Sequence, residues 1–235
     1  MSDCTYYAIG DIHGEDERLA RLHAHIENDA KFSGGAYKIV HLGDLIDRGP
    51  DSRGVINRLM ALEAAGAPSV TVKGNHEELM LHAYGKHESI GVYFWAENGG
   101  DETIASYRAV NGDTDDWRDA IDKNHIVWLR NLPVTIHDEA RKIVFVHGGI
   151  DPKVFPNCTD ELRMWTRSEK FFNQRHWPKR PELEGLLVVH GHTPTDNFEP
   201  HVDARRINVD TGVCYGGPLT AVVLAPGERP RFLHA

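Results

Sequence analysis

Short apolar runs rich in β-branched residues stop, again and again along this chain, at a glycine accompanied by Asp, Asn or His. Thr5 to Ile9 leads into Gly10-Asp11-Ile12-His13-Gly14, and Tyr37 to Leu42 into Gly43-Asp44-Leu45-Ile46-Asp47-Arg48-Gly49-Pro50. Ser69 to Val72 leads to Gly74-Asn75-His76-Glu77, Ile143 to Val146 to His147-Gly148-Gly149, and Leu186 to Val189 to His190-Gly191-His192-Thr193-Pro194. Between the first three runs lie Leu19, Leu22 and Ile26, then Val55, Ile56, Leu59 and Leu62, at the spacing of one helical face. Strand, helix, strand alternation predicts an α/β layered fold with parallel neighbours, and open α/β sheets place ligand sites where their strands stop. Residues two apart in an extended segment point the same way, so Asp11 and His13 can face one cation, as can His190 and His192. A single end of this kind is an ordinary helix cap or a solvated histidine. Five in one chain point to metal chemistry.

Three more β-rich runs, Val134 to Ile136, Arg206 to Val209 and Leu219 to Leu224, predict a second set of strands. From Gly85 to Asn131 the strand signal disappears and Trp95, Trp117 and Trp128 stand among charged and small residues, which reads as a helical insertion over about 85–131. Ser168 to Glu184 carries Lys170, Arg175, Lys179 and Arg180 among aromatics and prolines, and reads as a long loop with a basic stretch at 170–180. With no repeat and no low-complexity linker, residues 1–235 are expected to form one domain, large enough to bury its own core. No apolar run approaches the ~20 residues of a membrane span, and Met1-Ser2-Asp3-Cys4 lacks the basic and apolar opening of a secretory signal. Neither membrane association nor secretion is expected. Cys4, Cys158 and Cys214 have no close spacing that would suit a disulfide framework or a cysteine zinc site, which fits a reducing cytoplasm. Lys and Arg number 26 against 35 Asp and Glu, a net charge of −9, so stable nucleic-acid binding is not expected, although a local basic pocket is compatible with it.

Taken in order, GDIHG, GDLIDRGP, GNHE, VHGG and GHTP, together with Trp95-Ala-Glu-Asn98-Gly99-Gly100, Trp165-Thr-Arg167 and Asp210-Thr211-Gly212, resemble the calcineurin-like metallophosphoesterases. Within them the motifs are most similar to the phosphoprotein phosphatase branch, the bacterial and bacteriophage lambda-type serine/threonine protein phosphatases. The resemblance implies an α/β fold of two mixed β-sheets packed as a sandwich and flanked by helices. It implies that Asp11 and His13 bind one of two divalent metal ions, that Asp44 bridges both, and that Asn75, His147 and His192 complete the second. Mixed carboxylate, amide and imidazole donors suit Mn, Fe or Zn, where an all-oxygen cage would suit Mg or Ca; manganese is the first expectation. By the same resemblance a hydroxide shared by the metals attacks phosphorus in line. His76, oriented by Asp47, protonates the leaving oxygen. From the residues alone, His76 could instead be a third ligand or merely open a helix, the less favoured readings. Arg48 and Arg167 would clamp phosphate oxygens, a task for planar two-pronged donors. The resemblance picks His192 over His190 as the ligand. Pro194 stands where many metallophosphoesterases have a further histidine.

These features lead to a metal-dependent phosphomonoesterase acting on phosphoserine or phosphothreonine in a phosphoprotein or phosphopeptide, and on small phosphate esters. A symmetrical dinucleoside tetraphosphate hydrolase is the rival; such enzymes typically have a smaller residue in place of Asp47 and GNHD in place of the motif ending at Glu77. A catalytically decayed metal-binding scaffold would be expected to lack a ligand or a clamp. A covalent route has weak support, since Cys158 lacks the arginine pattern of a phosphate loop and no GxSxG elbow is present. Two segments are candidates for choosing the substrate: the stretch from Trp95 to Trp128, and Phe171 to Arg180.

Overall fold

The computed structural model describes residues 4–85 and 89–235. Residues 86–88 of the expected insertion, and Met1 to Asp3 of the amino terminus, lie outside the described residues.

Among the described residues, ten strands form two mixed five-stranded sheets. The first contains β1 (Thr5–Ile9), β2 (Tyr37–His41), β3 (Ser69–Thr71), β9 (Thr220–Leu224) and β10 (Arg231–His234), in the order β10-β9-β1-β2-β3. The second contains β4 (Thr135–Asp138), β5 (Ile143–Val146), β6 (Leu187–His190), β7 (His201–Val202) and β8 (Arg206–Asn208), in the order β4-β5-β6-β8-β7. Within each sheet there is a parallel set, β1-β2-β3 or β5-β6-β8; the first is extended on its β1 side by antiparallel β9 and β10, and the second has an antiparallel strand on either side, β4 and β7. The expected sandwich is therefore the architecture observed. The period of two along β1 accounts for the layering. Tyr6 and Ala8 face the interior between the sheets, meeting Val40, Phe145, Val189 and Ile207, whereas Tyr7 and Ile9 face a helical layer with Leu19, Leu22 and Ile26. With both faces covered, the strands read as continuous apolar runs.

The outer layer of the first sheet is α1 (Asp16–Ser33), α2 (Ser52–Ala64) and α3 (Asn75–Gly85). The chain continues through α4 (Ser89–Trp95), a wide turn over Ala96–Gly100, α5 (Asp101–Asn111), α6 (Trp117–Ala120) and α7 (Lys123–Asn131). Asp51 caps α2 by accepting the Gly54 N–H at 2.7 Å, the preferred chemistry at a helix start. Farther on, α8 (Asp160–Trp165) and α9 (Glu169–Phe172) lie beside the second sheet.

Two expectations are corrected. The 168–184 stretch is not merely a loop over the surface: Phe171, Trp177 and Leu183 are buried and form a hydrophobic cluster with Val144, Val146 and Val188 on the outer face of the second sheet. Its helical pieces are too short to produce a periodic signal. Strands β7 and β10 were not foreseen, because one is a two-residue exposed segment and the other borrows its strand character from pairing with β9.

Candidate metal centre

Nearly every polar side chain singled out at a strand end is brought to one place. Asp11 and His13 follow β1, Asp44, Asp47 and Arg48 follow β2, Asn75 and His76 open α3, and His147 and His192 follow β5 and β6. The backbone bends sharply there. His13, Asp44, Asp47, Arg48 and His192 have positive φ, from 44° to 71°. Left-handed non-glycine residues cost on the order of 1–3 kcal/mol each and persist only where surrounding contacts hold them. The glycines beside them have a steric reason: a Cβ at Gly74 would overlap Asp44 Oδ1, and one at Gly191 would overlap Asp11 Oδ1.

Two groups of buried side chains share Asp44. One is His13, Asp44 and His76; the other is Asp44, His147 and His192; within each, candidate ligand atoms lie within 4.8 Å of one another. Asp44 Oδ1 is 3.2 Å from His147 Nε2, and Asp44 Oδ2 is 3.8 Å from the Nε2 atoms of both His13 and His76. Asn75 Oδ1 joins the second group at 2.9 Å from His147 Nε2. Asp11 stands slightly apart, with both carboxylate oxygens turned to the His192 N–H at 3.0 and 3.2 Å. The first group contains His76 and not Asp11, although the Asp11 carboxylate, buried beside the second group, still interacts with His147 and Asp44.

The donor set fits divalent cations. His13 Nδ1 lies 2.9 Å from the Ile46 carbonyl and His147 Nδ1 2.8 Å from that of Leu42. A carbonyl can only accept, so Nδ1 carries a proton on both rings; the His13 Nε2 lone pair is then directed into the site, as in histidine ligands held by an outer hydrogen bond, whereas His147 Nε2 faces the acceptors Asn75 Oδ1 and Asp44 Oδ1 and would have to release its proton to a cation. His192 is held through the Trp165 backbone. Two guanidinium groups cover the lone pairs: Arg48 reaches His13 Nε2 and His76 Nε2, both at 3.0 Å, and Arg167 Nε donates to His192 Nε2 at 3.2 Å.

Burial and charge set the protonation. Burial pushes the His13 and His192 rings down to about 3, helped by the neighbouring His76 and His147 respectively. Burial also opposes a proton on His147, but Asp44 and Asp11 outweigh it and push this ring up to about 10. Burial works against the Asp44 carboxylate, yet His147 and His76 hold it well below the usual range. The His76 N–H at the start of α3 donates to Asp44 Oδ1 at 3.0 Å, adding the favourable field of a helix N-terminus.

His76 and Asp47 form a second buried unit. His76 Nδ1 is 2.7 Å from Asp47 Oδ2, and Asp47 also accepts from Trp95 Nε1 at 3.0 Å and Thr103 Oγ1 at 2.7 Å. Burial disfavours a charged His76, but Asp44 and then Asp47 raise its proton affinity above the ordinary value. Trp95 lies in a motif visible in the sequence, whereas nothing in the sequence singles out Thr103. Glu77 is another residue whose role was missed: its buried carboxylate accepts N–H bonds from Asp44 at 3.0 Å, Leu45 at 2.8 Å and Gly74 at 2.8 Å, tying the end of β2 to the turn before α3. His190 joins neither group. Its ring lies against Phe171 and Phe172, with Nδ1 3.0 Å from the Gly191 carbonyl and Nε2 3.3 Å from Arg206. The Cys158 thiol is pushed up by burial, which further weakens the covalent route.

A bis(5'-nucleosyl)-tetraphosphatase PrpE, designated asymmetrical, from Anoxybacillus flavithermus is 27% identical over 230 residues, covering 92% of this chain and 89% of its own. A crystal structure described as that of a candidate diadenosine tetraphosphatase superposes with a TM-score of 0.64 at 21% identity, covering 100% of this chain and 99% of its own. A Saccharomyces cerevisiae protein serine/threonine phosphatase superposes with a TM-score of 0.56 at 16% identity, covering 97% and 74%. At these identities the two structures speak for the fold. The description of calcineurin-like phosphoesterases matches residues 5–223, nearly the whole chain, and the chain therefore belongs to the calcineurin-like phosphoesterase family.

Proposed function

We propose that this phosphoesterase hydrolyses dinucleoside tetraphosphates, with cleavage into unequal products. The observation that carries the substrate is the likeness to the asymmetrical tetraphosphatase of Anoxybacillus flavithermus along 92% of the chain. The rival of the sequence reading, tetraphosphate hydrolysis, thereby overtakes phosphoprotein hydrolysis as the leading function. Unequal cleavage replaces the symmetrical cleavage first considered.

Asp11, His13 and Asp44 would hold one cation, and Asp44, Asn75, His147 and His192 the other, with manganese the first expectation and Fe or Zn suited to the same donors. Bound cations supply positive charge against the phosphoryl oxygens and a water acidified enough to attack near neutral pH. The rest falls to the chain. Arg48 and Arg167, each within hydrogen-bond reach of a ligand histidine, are placed to grip phosphoryl oxygens on either side. Water oxygen bonds to phosphorus and releases a proton to solvent, the bridging P–O bond between the first and second phosphates breaks, and the leaving nucleotide would take a proton from His76 Nε2, the nitrogen opposite the one held by Asp47, once Arg48 has turned from it to the phosphate. A carboxylate behind an imidazole both fixes its tautomer and raises its proton affinity.

Phosphoprotein hydrolysis is the second reading, favoured by Asp47 and Glu77, both buried in hydrogen-bond networks at the site. A single assay separates the two. With manganese, diadenosine tetraphosphate should give AMP and ATP in equal amounts by ion-exchange chromatography. Formation of ADP alone would overturn unequal cleavage, and turnover of a phosphoserine peptide with none of the dinucleotide would overturn the substrate.

A further inference from the structure

Beside the metal centre, a groove of about 760 Å³ runs between α3, α4 and α8. Leu79, Phe94, Val134, Met164 and Trp165 line its apolar walls. Two of these rings are unusually bare for their size: Phe94 is 51% exposed and Trp165 37%. The groove meets the centre at Trp165, whose ring lies 6.3 Å from that of His192 in an edge arrangement, while Arg167, two residues on, donates to the same His192. Glu78, Asp160 and Glu161 are also on its lining, against Lys73 and His82. Lys73 and His82 both pair with Glu78, and Asp160 pairs with Arg163.

This distribution selects for one part of a ligand. A polyphosphate is drawn to the arginines and cations of the centre, whereas the groove's own Lys73 and His82 both pair with Glu78 and Glu161 adds negative charge, so the groove suits a part that is uncharged, flat and apolar on its faces, with polar edges that can donate to Asp160 or Glu161. A volume of this size with apolar walls and a few polar groups is typical of a small-molecule subsite. Exposed aromatic rings are the usual platforms for a nucleobase, because every base has a stacking face.

We propose that this groove is the nucleoside subsite of the enzyme, where one base of the dinucleotide stacks between Trp165 and Phe94 while its phosphates lie on Arg167. The assignment rests on the dinucleotide reading above and adds the residues that recognise the base.

The test compares the manganese-loaded protein with Trp165→Ala, Trp165→Phe and Phe94→Ala. The ratio of kcat/KM for diadenosine tetraphosphate to that for p-nitrophenyl phosphate should fall on the order of tenfold in Trp165→Ala, as expected for loss of one stacked base. Trp165→Phe should recover much of it, and Phe94→Ala, at an exposed position where folding is not at risk, should show the same direction. AMP binding by calorimetry should weaken by a similar factor, a readout independent of turnover. If the wild type hydrolyses the dinucleotide but the ratio and AMP affinity are unchanged in Trp165→Ala and Phe94→Ala, the groove assignment fails and the function stands. If the wild type turns over p-nitrophenyl phosphate and not the dinucleotide, both fail. A larger loss on a phosphopeptide than on the dinucleotide would assign the groove to a peptide side chain and overturn the proposal.

Discussion

The proton on His76 provides a sharp test of the site, through Asp47→Asn. The carboxylate of Asp47 has no room to be replaced neutrally. Its Oδ1 accepts from Thr103 Oγ1 at 2.7 Å and from Trp95 Nε1 at 3.1 Å, and an asparagine oxygen keeps both. Its Oδ2 accepts from His76 Nδ1 at 2.7 Å, and an asparagine NH2 placed there sets donor against donor. The opposite amide rotamer keeps the His76 bond and turns its NH2 toward Thr103 Oγ1, a hydroxyl that can accept but already accepts the Asp47 N–H at 2.9 Å. Both rotamers put a neutral group behind His76 in place of the carboxylate and lose a charge-assisted bond, about 1.5–3 kcal/mol. At 1.36 kcal/mol per tenfold, this corresponds to a fall in kcat of roughly 10–150-fold. The loss should be selective, because a good leaving group needs little protonation in the transition state. With manganese, kcat on phenyl phosphate should fall about 10²-fold and on p-nitrophenyl phosphate less than tenfold, the metal content measured by emission spectroscopy staying at the wild-type level. Equal losses on both esters at full metal content would refute the role of the Asp47 and His76 pair in proton delivery.

Other expectations are as specific. His76→Asn should bind metal as the wild type does and lose about 10²–10⁴-fold in kcat on poor leaving groups; loss of one equivalent of metal instead would make His76 a ligand. Glu77→Gln puts an NH2 against one of three backbone donors at 2.8–3.0 Å, leaving a buried donor unpaired at about 2 kcal/mol, so the melting temperature should drop by roughly 6 °C; an unchanged melting curve would show that the Glu77 bonds do not brace the site. His23 and His41 are buried with their Nε2 atoms 3.0 Å apart, and burial, with Arg58, lowers the His23 ring from 6.5 to about 4. Because the folded value is the lower one, the unfolded chain takes up the proton first as pH falls, and stability is lost from about pH 6.5 down to about 4. Between pH 7.5 and 5.5 this ring contributes a loss on the order of 1 kcal/mol, so urea unfolding of the wild type should weaken by that much more than that of His23→Gln; parallel losses would show that the ring does not titrate as described. Neutralising Arg175, Lys179 and Arg180 together should raise KM for phosphopeptides more than for p-nitrophenyl phosphate if the basic stretch touches peptide; equal effects would leave it as a solvated face.

What the sequence reveals and what it hides follow from the range of the interactions. Strands β1, β5 and β6 are legible because both their faces are buried, which leaves a nearly unbroken apolar run ending at Gly10, His147-Gly148 and His190-Gly191, whereas β2, half-buried at Tyr37 and Lys38, is legible from Ile39, Val40 and the glycine motif that follows. The ligand positions are legible for a related reason: left-handed turns and close backbone approach demand glycine and tolerate Asp and His, so the geometry writes itself into adjacent residues. The bracing of the site does not. Thr103 meets Asp47 across 56 positions, and a threonine in α5 has no neighbour that announces the contact. Phe171 and Trp177 escape notice similarly, since their helical pieces are shorter than the period needed to reveal a buried face. The substrate is hidden more deeply still. Motifs such as GDIHG and GNHE offer the candidate cation ligands and leaving-group acid that metal-dependent hydrolysis of many different phosphoesters would share, so they are silent about what the phosphate is attached to. That choice belongs to walls made of Leu79, Val134, Met164, Phe94 and Trp165, drawn from three helices and a loop. In one dimension these are indistinguishable from core residues. Only folding separates those that face a groove from those that face one another, which is why the chemistry of this protein can be read from its strand ends while its substrate has to be sought in the shape beside them.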